Sequence, residues 1–137
     1  MDRPIMRMKF FLQQPSEAAS PADLDIARDL ADTLEAHRAT CVGMAANMIG
    51  RHKRVIAVIG DNDSILVMLN PELVWGREAY QTEEGCLSLE GTRPARRYRR
   101  IRVKWEDEDF CSHEQTFYGS VAQAIQHEID HCNGVLI

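Results

Sequence analysis

A chain of 137 residues with 45% hydrophobic and 27% charged side chains is long enough to bury a core without staples and too apolar to stay disordered, so residues 1–137 read as one domain. Its formal charge of −5, from 21 acidic and 16 basic side chains, argues against a general nucleic-acid binder. No stretch approaches the roughly 18 apolar residues of a membrane span, and the start "MDRPIMRMKFFLQQPSEAASPAD" lacks the apolar run and cleavage site of a secretory signal.

The sequence therefore predicts a cytoplasmic protein with no membrane and no specific nucleic-acid partner. In that reducing setting Cys41, Cys86, Cys111 and Cys132 stay thiols, free to bind metal or to pack.

The first clear element is a helix in "SPADLDIARDLADTLEAH". Ser20 is its N-cap, Pro21 and Asp23 suit its first turn, and Leu24, Ala27, Leu30, Ala31 and Leu34 share one face. Next come two short β-branched runs, "RVIAVI" and "ILVMLN", around the turn composition "GDND". A second hairpin follows, "IRVKWE" and "SHEQTFY" around "DEDF". The basic run Arg93, Arg96, Arg97, Arg99, Arg100 and Arg102 reads as a solvated strand face. A last helix is predicted from Gly119 to Asn133, stopped by Asn-Gly. Strands first and a helix last give an α+β class.

Chemistry concentrates in that last helix. His127 and His131 stand at i and i+4, so their rings leave one face a turn apart and can share an ion. Glu128 follows the first histidine, the place of the general base in H-E-x-x-H, while Asp130 falls elsewhere and is read as orienting a histidine or a backbone group. The same letters also occur on ordinary helix surfaces. A third ligand must come from another segment, and Cys86 in "TEEGCLSLEG" is the best candidate because Gly85 allows a tight turn beside two carboxylates. A small buried hydrophobe is the alternative for it. Cys132 is the rival, although it points to another side of the helix than His131, and Cys41 and Cys111 carry no comparable context.

Taken together, Glu84 to Ser88 as E-G-C-L-S and Gln126 to His131 as Q-H-E-x-D-H resemble the peptide deformylases. Those enzymes remove the formyl group from the N-terminal formylmethionine of new polypeptides. The family's first motif, G-x-G-x-A-A-x-Q, lies where this chain reads "CVGMAANM", with Gly43, Ala45 and Ala46 matching, Cys41 in place of the first glycine and Met48 in place of the glutamine. The similarity runs from about residue 20 to the end, without the long C-terminal extension of some members.

The resemblance implies small antiparallel and mixed β-sheets around a central metal-binding helix. It implies one divalent ion on Cys86, His127 and His131, Fe(II) in first place with Zn(II) or Ni(II) as alternatives. It makes Glu128 the proton carrier and the Leu87 N–H an oxyanion donor. Val42 and Gly43 would offer a strand edge to the substrate, and Glu84 would pair with Arg97 to brace the Cys86 loop, against a plain surface role for Arg97. Substrates would be N-formylmethionyl peptides and nascent chains, with the ribosome as a further partner. Met48 lies where the family has a hydrogen-bond donor, and a thioether has no hydrogen to give; loss of one such donor typically costs ~10²–10³ in turnover. Two other classes stay open: a deformylase-like protein with little turnover or another small amide as substrate, and a zinc endopeptidase, which Cys86 disfavours because thermolysin-type sites use a carboxylate there.

Overall fold

The computed structural model describes residues 1–137. In chain order it contains helices α1 (Lys9–Leu12) and α2 (Leu24–Ala36), strands β1 (Gly43–Ala45), β2 (Val55–Ile59), β3 (Ile65–Cys86), β4 (Leu89–Glu106) and β5 (Ser112–Tyr118), and helix α3 (Gly119–Cys132). Short 3-10 turns at Pro21–Asp23 and Ala46–Ile49 precede α2 and follow β1.

Both expected hairpins form, and the sheet is a single five-stranded meander in the order β1-β2-β3-β4-β5. Every pair is antiparallel, in place of several small and partly mixed sheets. The reason lies in β3 and β4, which run far past the apolar runs that announced them. Pro71, Gly76 and Gly85 interrupt any alternating pattern; the chain passes Pro71 and Gly85 with register shifts at Leu69/Glu72 and Gly85/Cys86, shifts once more at Leu73/Trp75, and keeps Gly76 in register opposite Ile101. The basic run lies on β4, partly as a solvated face: Arg96 and Arg99 are exposed and lie over the rings of Tyr98 and Tyr80. Arg97, on the same strand, is buried.

The core has two parts, one on each face of the sheet. Alternate residues of β2 point to opposite sides. Ile56 and Val58 join Ile101, Val103, Trp105 and Phe117 under the Val121, Ile125 and Ile129 side of α3. Val55 and Ala57 join Met44, Met48 and Leu69 under the Ile26, Leu30 and Leu34 side of α2. The unbroken apolar run of β2 is thus a strand covered on both faces. α2 begins slightly later than its sequence signal, because Pro21–Asp23 is a 3-10 turn, in which the Asp23 carboxylate accepts the Ser20 backbone N–H at 2.9 Å.

α3 ends as Asn133 and Gly134 predict. The Gly134 N–H donates to the His131 carbonyl and the Val135 N–H to the Asp130 carbonyl, both at 3.0 Å, which is a Schellman closure. Gly134 has φ +77°, and a Cβ there would lie 2.4 Å from the Gln13 carbonyl oxygen. Positive φ and a backbone obstacle act together, so Gly134→Ala is expected to destabilise the fold by about 2–4 kcal/mol, read from the shift of the urea midpoint at unchanged m-value.

Candidate metal centre and its cleft

The closure of α3 keeps its last turn helical, and this fixes the two histidines relative to each other. Their Nε2 atoms are 3.1 Å apart, with the rings edge to face at 65°. Cys86 arrives from the end of β3, where the register shift after Gly85 turns the strand toward the helix. Its Sγ lies 3.4 Å from His131 Nε2, and the three donor atoms all lie within 4.8 Å of one another. An ion with ligand bonds of about 2.0–2.3 Å in tetrahedral array would set neighbouring donors roughly 3.3–3.7 Å apart, so the group fits a metal with little adjustment. Three protein donors leave one position open.

The donors are held from behind. His127 Nδ1–H donates to Glu84 Oε1 at 2.8 Å, which turns Nε2 toward the other two donors. Glu84 also accepts from Arg97 Nε and Nη2, at 2.7 to 3.1 Å, and from Gln123 Nε2 at 2.8 Å. Arg97 is buried and spends its remaining nitrogen on Asp130 Oδ2 at 2.7 Å. Asp130 therefore orients Arg97, not a histidine or a backbone group. Burial alone would raise the Glu84 pKa, but the bonds from His127, Arg97 and Gln123 outweigh it and bring the carboxyl to about 2.

The two imidazoles respond in opposite senses. Burial opposes charge on His127, yet the Cys86 sulfur, Glu84 and Glu128 outweigh it and push its pKa to about 10. Burial, and then the positive charges of His127, Arg93 and Arg97, take His131 down to about 3. With their Nε2 atoms 3.1 Å apart, the two rings are too close to carry a positive charge each.

Glu128 is buried, and its Oε1 has no hydrogen-bond partner. Burial first, and then the negative charges of Glu84 and Asp130, raise its pKa to about 7 against the opposing pull of His127 and Arg97. The carboxylate has room because residue 43 is glycine: a Cβ there would come within 2.9 Å of Glu128 Oε2.

A cleft of about 560 Å³ opens onto these groups. Val42, Gly43, Met48, Glu84, Cys86 and Leu87 line it together with His127 and Glu128, so most of the residues singled out in the sequence meet in one place. Arg97 sits behind the cleft wall and His131 is fully buried beneath it. Met48 is 1% exposed, and its sulfur accepts the Ala45 N–H at 3.5 Å, so its tip offers no donor. The neighbouring Asn47 turns away and donates to the His131 carbonyl at 3.0 Å. Cys132 packs in the core, where burial pushes its thiol up to about 12.

Among the cleft residues that the sequence did not mark out, two make hydrogen bonds at the site. Gln123 lies one turn before His127, a spacing that places it on the ligand face. In the sequence Cys41 only stands in place of a family glycine, yet it lines the cleft and its thiol donates to the Gly43 carbonyl at 2.9 Å, with burial raising its pKa to about 11.

Known proteins share both the sequence and the shape. The model of the polypeptide deformylase family matches residues 3–137. A peptide deformylase of Clostridium beijerinckii is 44% identical over 137 residues, covering all of both chains, and one of Thermodesulfovibrio yellowstonii is 35% identical over 92% of this chain and 80% of its own. Among solved structures, a class I type b peptide deformylase of Acinetobacter baumannii bound to Met-Ala-Ser superposes with a TM-score of 0.88 at 28% identity, over 99% of this chain and 97% of that one. A Legionella pneumophila peptide deformylase gives 0.87 at 31% identity, over 99% and 83%. The order of motifs, the full-length match and the gathering of a cysteine sulfur with two imidazoles all lead to one assignment: the chain belongs to the polypeptide deformylase family.

Proposed function

We propose that this protein hydrolyses the N-formyl group from the N-terminal formylmethionine of newly made polypeptides, releasing formate and a free amine. The observation that carries this reading is the pairing of the Cys86, His127 and His131 donors with a buried, unpartnered Glu128 carboxylate beside them. A thiolate as third ligand also separates the site from thermolysin-type endopeptidases.

A divalent ion on these three side chains supplies Lewis-acid polarisation of the formyl oxygen and lowers the pKa of water. Glu128, raised to about 7 by its burial, is suited to take a proton from water and return it to the leaving amine. The Leu87 N–H donates to the oxygen on which charge develops. β1 is an edge strand, paired only with β2, and Val42 and Gly43 leave its outer side open to an extended peptide. The Acinetobacter relative was solved with Met-Ala-Ser bound, which supports a short methionyl peptide as the ligand class. Glu84 and Arg97 act by holding His127 and the end of β3 in place. In this reading the protein works in the cytoplasm, near the ribosome where formylated chains emerge.

Fe(II) is the ion we propose, with Zn(II) and Ni(II) as substitutes that a thiolate and two imidazoles also accept. Air or peroxide should then inactivate the iron form by oxidising the iron or Cys86, while the nickel form survives. Equal decay of the two forms would count against iron.

Cys86→Ala, His127→Ala and His131→Ala should each strip metal, whereas Cys132→Ala keeps it. Glu128→Ala should retain metal and lose turnover, since a proton carrier is not a ligand. Metal analysis beside formate release from formyl-Met-Ala-Ser reads both outcomes, and full occupancy in Cys86→Ala would remove the ligand assignment.

Met48 favours a second reading, a family member with weak turnover or another small amide as substrate, because no amide donor stands at that position. Met48→Gln should raise kcat per bound metal by ~10-fold or more on formyl-methionyl peptides with little change in KM. A flat or lower kcat would mean that another group already serves the oxyanion or that the substrate differs.

A further inference from the structure

The amino-terminal segment reaches the metal loop from outside the cleft. It is tied to α2 through Arg3, whose backbone N–H donates to Thr33 Oγ1 at 2.9 Å and whose guanidinium pairs with Asp29 at 2.8 Å. Three residues on, the Met6 N–H donates to the Met48 carbonyl at 2.7 Å. Arg7 then extends Nη1 to the Leu87 carbonyl oxygen, at 2.9 Å across a sequence separation of 80. That carbonyl belongs to the Leu87–Ser88 peptide, and the N–H at its other end donates to Cys86 Sγ at 3.4 Å.

We propose that Arg7 is a positioning residue for the metal-binding thiolate, acting through the Leu87–Ser88 peptide. The peptide unit is planar and conjugated, so a cation on its oxygen strengthens the dipole of its N–H. The stronger donor withdraws charge from Cys86 Sγ and fixes the direction of its lone pairs. A weaker thiolate donor leaves the ion more electrophilic, which is the property the hydrolysis uses. Arg7 is exposed, and water competes for such a bond in a free side chain. Here the anchors at Arg3 and Met6 order the backbone beforehand, so less entropy is lost when the guanidinium settles on Leu87.

The inference rests on Cys86 being a ligand, and the test separates the two claims. Full-length protein loaded with Co(II) is compared as wild type, Arg7→Ala and Arg7→Lys, reading the sulfur-to-cobalt charge-transfer absorption together with metal content, kcat and KM on formyl-Met-Ala-Ser. Arg7→Ala should move the band to lower energy and reduce kcat by about 3–10-fold, with metal content and KM nearly constant, a smaller effect than loss of a direct partner of a ligand. Arg7→Lys, which keeps a cationic donor, should retain most of the band position and of the rate. A band in Arg7→Ala that superposes on the wild-type band overturns the relay, even if kcat falls, because a loosened arm alone would not alter the sulfur. Absence of any sulfur-to-cobalt band in the wild type would overturn the ligand role of Cys86 and the relay with it.

Discussion

The carboxylate of Glu84 is the constraint on which the rest of the site depends. It is a buried charge on β3, and such a charge persists only when its oxygens are fully engaged. Arg97 on β4 and Gln123 and His127 on α3 supply the donors. One side chain therefore locks two strands and a helix, sets the tautomer of a metal-binding histidine, and stands two residues before Cys86. Removing either charge of such a pair leaves the other stranded, at a typical cost of about 3–5 kcal/mol. The pair thus couples the folding of β3 and β4 to the placement of His127.

Around that lock the sheet divides its work. β2 is apolar on both faces, which lets α2 cover one side and α3 the other. β1 is left at the sheet edge beside the ligands: Met44 and Ala45 pack into the core, while its outer main-chain side has no neighbouring strand. The peptide-binding role we propose for β1 needs such a place: main-chain groups unpaired on one side, backed by a rigid partner on the other. Gly43 meets two demands in that strand. It continues the pairing with Val58, and its missing side chain is the space that the Glu128 carboxylate occupies.

α3 is buried on nearly every side, yet only part of its surface is hydrocarbon. Val121, Ile125 and Ile129 face the sheet core, while Gln123, His127, Glu128 and His131 face the ligand side. Gln126 shows how a polar residue survives beneath it: its amide pairs with both the N–H and the carbonyl of Tyr98, as a neighbouring strand would. The outcome is a helix whose polar side chains Gln123, Gln126, His127 and Asp130 are satisfied by β3 and β4, while Glu128 Oε1 and His131 Nδ1 are left without a partner.

By itself the sequence determined what short-range rules govern. The i, i+4 spacing of His127 and His131 puts their rings on one face of any helix, Asn133-Gly134 ends that helix, and the β-branched runs announce β2 and the opening of β3. The E-G-C-L-S and Q-H-E-x-D-H segments added the family and, with it, the third ligand. The tertiary structure alone decided which groups meet across the chain. That the stretch from Pro71 to Arg99 is strand on both sides of a tight turn at Leu87–Ser88 could not be read from hydrophobic alternation, because its residues are chosen for the cleft and the solvent rather than for a core face. The contacts of Asp130 with Arg97, of Gln123 with Glu84 and of Arg7 with Leu87 are likewise invisible to pattern. Each joins segments whose separation in the chain carries no periodic signal, and a polar side chain with a distant partner looks, in sequence, the same as one facing water.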